Sequence, residues 1–292
     1  MEIWQALILG LIEGITEYLP ISSTGHLVVA QRIMGTGTAS EIDKLAADAF
    51  AISIQGGAIL AVLGLYWKHV LKMIRGVLGR DPDGLKLAIN IIAGFVPAAI
   101  LGVLFNDWIE AKLFSTWPII IAWIVGGVAI LATCAWRRRH PLKGEGNGIL
   151  QLTWKLALLI GLLQCVAMWP GTSRSLMTIV GGILVGLSAK AAVEYSFLLG
   201  VLTLSAATFK KALWAIEGAG AQYDVWFGGT KLMLDHYGSG PFFVGIIAAA
   251  VSAAFAVKWL VSYLQSHGLE IFGYYRIALG LIVGTLLLTG II

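Results

Sequence analysis

Apolar residues run along this chain in long unbroken blocks, not in the short alternating or one-sided patterns of a soluble fold. The blocks fall near 3–19, 21–34, 46–67, 87–105, 117–136, 150–169, 175–187, 190–209, 241–264 and 274–292. A helix needs about 20 apolar residues to cross the hydrocarbon core of a bilayer. The blocks at 46–67, 87–105, 117–136, 190–209, 241–264 and 274–292 meet that length. The other four form two pairs, 3–19 with 21–34 and 150–169 with 175–187, each interrupted by a proline followed by hydroxyl residues. The partner after each interruption is too short to span easily. The pattern predicts an all-α polytopic membrane protein with six transmembrane helices plus two re-entrant helical hairpins. Irregular backbone of that kind is tolerated at membrane depth only where protein or a water-filled cavity surrounds it. An eight-span arrangement, in which the longer first arms cross, is the alternative.

The two interruptions resemble each other. Pro20-Ile21-Ser22-Ser23-Thr24 lines up with Pro170-Gly171-Thr172-Ser173-Arg174, half the chain away. The chain therefore divides into halves at 1–149 and 150–292, each a hairpin followed by three spans, within one integral membrane domain. An odd number of spans inverts the second half. The expected architecture is an inverted repeat of about 150 residues, with a site where the broken helices meet near the midplane. Lys and Arg concentrate at 68–86 (Lys68, Lys72, Arg75, Arg80, Lys86) and 137–149 (Arg137, Arg138, Arg139, Lys143). These loops lie on one side of the six-span arrangement, which the positive-inside rule makes cytoplasmic. The 106–116 loop, with Asp107, Glu110 and Lys112, is slightly acidic; the 210–240 loop is mixed, with Lys210 and Lys211 weakening the rule. Both termini are then outside, the first hairpin enters from outside and the second from the cytoplasm.

Composition agrees. The chain is 58% hydrophobic and 12% charged, half the charge of a soluble domain. Ten-residue alternating segments of a β-barrel are absent from the sequence. The net charge of +4 bears on loops and topology, and no basic stripe with interleaved aromatics suggests nucleic acid. Residues 1–18 carry Glu2, Glu13 and Glu17 and no basic leader, so they are not read as a cleaved signal peptide. Cys134 and Cys165 lie in apolar segments without metal-type spacing and are read as buried, inert thiols.

Against this oily background the stretch from Glu13 to His26 stands out. Ionisable groups at membrane depth are costly and mark function by default. Glu13 and Glu17 lie one helical turn apart on one face. Pro20 stops their helix, and Ser22, Ser23 or Thr24 can cap a second one starting near His26. Free N–H groups at such a break can hold an anion. The carboxylates can bind a hard divalent cation or share acid–base work, and a Ser–His arrangement can activate a hydroxyl. At the second break, Arg174 lies between Ser173 and Ser175, beside Gly171 and a helix start, with Thr178 one turn on. A forked guanidinium next to a helix N-terminus makes a phosphate cradle. Gln55, mid-span, either hydrogen-bonds into the site or bridges helices. Glu194 is read as interfacial and Arg276 as a cytoplasmic-end anchor. His69, His140, His236 and His267 fall in expected loops and are read as solvated.

These two motifs resemble the signatures of the undecaprenyl-diphosphate phosphatase family, also called the bacitracin-resistance protein family. The first signature, an acid or Gln, three residues, Glu, then Ser-Ser-Thr-Gly-His, reads here Glu13 to Glu17 and Ser22 to His26. The second, Pro-Gly-x-Ser-Arg-Ser-x-x-Thr, is met from Pro170 to Thr178. The resemblance covers essentially the whole chain, and the loop near 215–240 departs most from it. It implies removal of the terminal phosphate from a C55 polyprenyl diphosphate, recycling the cell-wall lipid carrier and conferring bacitracin tolerance. It further implies a divalent cation, Mg²⁺ or Ca²⁺, at Glu13 and Glu17. The setting it implies is the bacterial plasma membrane, with a site open to the extracytoplasmic face. Ser23 is then the expected nucleophile, with His26 as its base or as acid to the leaving group, and attack by metal-bound water is the rival. Ser173, Ser175 and Thr178, with Ser22, Thr24 and Gln55, would bind the substrate, whose tail stays in lipid. A homodimer is compatible with this. The competing class is a transporter or flippase of polyprenyl phosphate lipids, which needs the Arg and Ser groups but not the acid pair with Ser and His.

Overall fold

The structure is a computed structural model that describes residues 1–113, 115–141, 146–213 and 227–290. The side chains of Asp107, Glu110, Lys210 and Lys211, together with Lys143 and residues 215–226, lie outside the described residues. Among the described residues the chain is helical, with one isolated backbone bridge between Asn147 and Leu187. The elements are α1 (Ile3–Tyr18), α2 (Ser23–Met34), α3 (Glu41–Leu65), α4 (Trp67–Val77), α5 (Pro82–Leu113) and α6 (Thr116–Arg139). They continue with α7 (Trp154–Gln164), α8 (Arg174–Leu184), α9 (Ala189–Leu213), α10 (Gly228–Tyr237), α11 (Ser239–Tyr263) and α12 (Glu270–Leu288). Six of these, α3, α5, α6, α9, α11 and α12, are long and apolar enough to cross a membrane, the six expected. The chain is a multi-pass membrane protein.

Three expected loops contain helix. The 68–86 segment holds α4, and the 210–240 segment holds α10; both helices are too short and too mixed in polarity to register as spans. The helix of α5 runs on to Leu113, through most of the expected 106–116 loop, because nothing in Asn106–Leu113 breaks it. His69 accordingly sits on α4, and His236 on α10 bonds the Asp43 carboxylate at 3.1 Å, so neither is a free loop residue.

The two broken pairs fold back on themselves. In the first, the Gln5 side chain near the start of α1 donates to the Met34 carbonyl at the end of α2 (3.2 Å). In the second, Asn147, just before α7, exchanges backbone hydrogen bonds with Gly186 and Ser188 just after α8 (3.1 and 3.0 Å). Each pair is thus a helical hairpin whose two ends share one end of the bundle. Arg137 donates to the Leu187 carbonyl (3.5 Å), which puts the ends of the second hairpin beside the basic end of α6.

The packing that holds the first hairpin relies on small residues. α1 lies along α11, and a Cβ built on Gly14 would stand 2.1 Å from the Ser252 hydroxyl and 2.2 Å from the Ala249 carbonyl. Only a glycine permits that approach, the usual means by which membrane helices gain contact without a hydrophobic drive. α3 packs on α11, α6 on α12, α5 on α7, and α8 on α9. The tips of the two hairpins are buried within this frame, Pro20 to Ser22 in the first and Pro170 to Thr172 in the second.

Candidate active site

Both tips use one backbone device. Leu19 and Trp169, each before a proline, are extended (ψ 148° and 117°), as steric contact with the proline ring demands. Ser22 and Ser173 follow with φ of 72° and 79°, a left-handed region costly for a residue with a Cβ. Each serine then caps the next helix: Ser22 Oγ accepts from the Gly25 N–H (3.5 Å), and Ser173 Oγ from the Leu176 N–H (3.2 Å). The caps align at an offset of 151, one more than the prolines, because the second break carries an extra residue. Ser23 and Arg174 therefore occupy the same place, the first residue of the helix after the tip.

The tips meet through Glu17. Its Oε2 accepts from the Ser23 hydroxyl at 2.5 Å and its Oε1 from Arg174 Nη2 at 3.1 Å. The two side chains of the ion pair are only 6% and 10% exposed. Arg174 Nη1 donates to the Ser196 carbonyl (2.9 Å), and the guanidinium lies 5.7 Å from the centre of the Tyr18 ring. Its buried Nε has no partner. Gly200 makes room for it, since a Cβ there would stand 2.4 Å from Nη1. Breaking such a buried pair leaves an uncompensated charge and costs about 3–5 kcal/mol.

At the second break the hydroxyls of Ser173, Ser175 and Thr178 are committed. Ser175 Oγ donates to the Leu19 carbonyl (2.8 Å) and lies 2.9 Å from Ser173 Oγ. Thr178 contacts Ser196 Oγ at 2.7 Å. His26 does not reach Ser23. Its Nδ1 faces the Ser22 carbonyl (2.6 Å) and its Nε2 the Tyr275 hydroxyl (2.8 Å). A carbonyl only accepts, so Nδ1 carries the proton and Nε2 takes the tyrosine's. Thr24, half-buried on α2, and Gln55, half-buried on α3, form no side-chain hydrogen bond with these groups.

Comparison with known proteins places the chain that carries this site. The family model described as bacitracin resistance protein BacA matches residues 6–282. The chain belongs to this family. It is 44% identical to undecaprenyl-diphosphatase 2 of Rhodospirillum rubrum, over 96% of this chain and 93% of the relative. It is 41% identical to the undecaprenyl-diphosphatase of Nitrosomonas europaea, over 96% and 92%. With undecaprenyl-diphosphatase 3 of Acinetobacter baylyi the identity is 38%, over 97% of both chains.

In this BacA-family site Glu13 is fully buried, and neither of its carboxylate oxygens has a hydrogen-bond partner. Two oxygens left bare one turn from Glu17 suit a hard cation or a transferable proton. No cluster of three or more His, Cys, Asp or Glu side chains occurs among the described residues. Glu13, with Glu17 beside it, is the carboxylate that could hold a Mg²⁺-type ion, whose preference is for oxygen ligands; both Glu17 oxygens already have a partner. Four partners escaped sequence reasoning: Tyr18, Ser196, Tyr275 and Arg276. Arg276, expected as an anchor at the cytoplasmic end, is instead fully buried. It donates to the carbonyls of Pro20, Ala122, Trp123 and Gly171. The sequence offered only one cue, an arginine inside an apolar block where charge is costly.

Proposed function

We propose that this chain is an integral membrane phosphatase that hydrolyses undecaprenyl diphosphate to undecaprenyl phosphate and inorganic phosphate, recycling the lipid carrier of cell-wall synthesis. The observation that carries this reading is Glu17, which joins a serine hydroxyl to an arginine 157 residues further along the chain. A binding site for a lipid phosphate needs the arginine. It does not need a buried carboxylate drawing the proton of a neighbouring hydroxyl. The printed names of the relatives support the same reading.

In the reaction, Ser23 Oγ attacks the terminal phosphorus while its proton passes to Glu17. The bond from that phosphorus to the bridging oxygen breaks, and its electron pair leaves with undecaprenyl phosphate. Water then attacks the phosphorus of the phosphoserine, the bond to Ser23 Oγ breaks, Glu17 returns its proton to that oxygen, and phosphate leaves carrying the water's oxygen and protons. Arg174 binds the phosphoryl oxygens, its unpartnered Nε–H being one of the donors left for them, and the helix starts at both tips add their dipoles. Ser173 and Thr178 keep the arginine's helix start in place. His26, its Nδ1 proton fixed by the Ser22 carbonyl, presents Nε2 for proton exchange with the leaving side. Glu13 and Glu17 would hold a Mg²⁺ or Ca²⁺ ion, which supplies positive charge against the diphosphate.

We place this site in the bacterial plasma membrane, facing the extracytoplasmic side, with the two hairpins as re-entrant elements of an inverted repeat. The matched backbone of the two tips and the basic end of α6 support this. The test is phosphate release from undecaprenyl diphosphate by the purified protein in detergent, with and without EDTA. Metal-dependent release is expected. A folded protein that releases no phosphate with any divalent cation would overturn the reading and favour a carrier of polyprenyl phosphates.

A further inference from the structure

The reading of the site leaves one buried charge unexplained. Arg276, on α12, is 0% exposed, and no carboxylate pairs with it among the described residues. An unpaired charge is expensive to bury. Here it is met only by backbone carbonyls: Nη1 donates to Pro20 (3.2 Å), Nη2 to Gly171 and Ala122 (both 2.8 Å), and Nε to Trp123 (3.3 Å). Pro20 is the tip of the first hairpin and Gly171 the tip of the second. Ala122 and Trp123 belong to α6, so the guanidinium bolts both tips to a spanning helix at once. The rigid five-donor fork of arginine can satisfy carbonyls in these directions, and the single ammonium of lysine cannot. Gly126 leaves the space it occupies; a Cβ there would lie 2.3 Å from Nη2.

We infer that Arg276 is a positioning residue that sets the distance between the two hairpin tips, so that Ser23 with Glu17 and Arg174 act on one phosphoryl group. It touches neither Ser23 nor Arg174; it acts through Pro20, two residues before the Ser22 cap, and Gly171, two residues before the Ser173 cap. Each tip alone presents half a site. A shift of about 1 Å between reacting groups can cost about 100-fold in rate, so a loosened clamp should be felt in turnover more than in substrate binding.

The inference rests on the phosphatase reading, and its test has an arm that does not. In a background lacking Cys134 and Cys165, spin labels go on Ile15→Cys in α1 and Val166→Cys at the end of the second hairpin's first arm. Both native side chains are exposed. Label-to-label distances and phosphate-release kinetics are then measured for Arg276, Arg276→Lys and Gly126→Ala. The clamp predicts a broadened distance distribution in both variants. It also predicts kcat per folded molecule lowered about 100-fold in Arg276→Lys and about 10-fold in Gly126→Ala, with KM changed less than about threefold. Arg276→Lys can fail to fold, and Gly126→Ala then carries the test, since it crowds the guanidinium and leaves its charge in place. A folded variant with a narrow, unchanged distribution overturns the inference, whatever its activity. So does a broadened distribution with wild-type kcat. If the wild-type protein releases no phosphate, the functional reading falls, and the distance arm still decides the clamp.

Discussion

The two helix breaks share a backbone and differ in chemistry. Each has a proline, a serine in the left-handed region and a cap onto the next helix, and each gives a carbonyl to Arg276. By cap alignment Ser23 matches Arg174, and Glu13 matches Gln164. At the second break Gln164 donates to the Gly94 carbonyl (3.4 Å) and accepts from Thr203 (3.4 Å), and Ser175 and Thr178 are bonded. At the first, Glu13 is buried with nothing to bond, and Glu17 is drawn between its own serine and the other break's arginine. One local backbone thus carries an arginine among bonded hydroxyls at one break and a buried, incompletely partnered acid pair at the other. Buried polar groups without partners are rare in native proteins and call for an explanation; under the proposed function that explanation is catalysis.

This contrast can be broken most sharply at Glu17. Replacing it by Gln removes the acceptor of the Ser23 proton and half of the Arg174 pair. Phosphate release should fall by about 1,000-fold or more, read as kcat on purified protein. Arg174→Lys keeps a charge but loses the fork, and about 100-fold should be lost; a variant within threefold of wild type would remove the arginine from the phosphate's path. Glu13→Gln separates function from stability. Neutralising a buried, unpartnered carboxylate should raise thermal stability by about 1–2 kcal/mol. Activity should drop, and with it the response to added Mg²⁺. A Glu13→Gln protein that is less stable and still metal-responsive would show that the carboxylate is structural. The smallest effect belongs to the matching position of the quiet break. Gln164→Ala should lower stability by about 1 kcal/mol through its lost hydrogen bonds and leave kcat within about twofold.

Much of this could be read from the residues. Six blocks of adequate length became six spanning helices, since length and apolarity decide that almost alone. The breaks were legible because proline and serine act locally. α4 and α10 were not, because short helices of mixed polarity are fixed by what they pack on. Nor could spacing tell which group each side chain would meet. Ser23 and His26, three residues apart, invite a Ser–His pair. The positive φ at Ser22 instead turns Ser23 toward Glu17, while the ring of His26 folds back on the Ser22 carbonyl. Ser196 and Tyr275 come from distant helices and look ordinary in the chain. Arg276 beside two tyrosines read as an interface anchor, and only the meeting of four carbonyls around it shows otherwise.

The central claim is that Glu17 holds Ser23 ready to attack a phosphorus gripped by Arg174. It is tested most directly by rapid quench of the enzyme turning over undecaprenyl diphosphate labelled at the terminal phosphorus, followed by mass spectrometry of the peptide that contains Ser23. The account predicts a transient phosphoryl group on Ser23, formed before phosphate is released and absent from a Ser23→Ala protein that no longer turns over. Wild-type turnover by Ser23→Ala, with no labelled peptide in either protein, would contradict it.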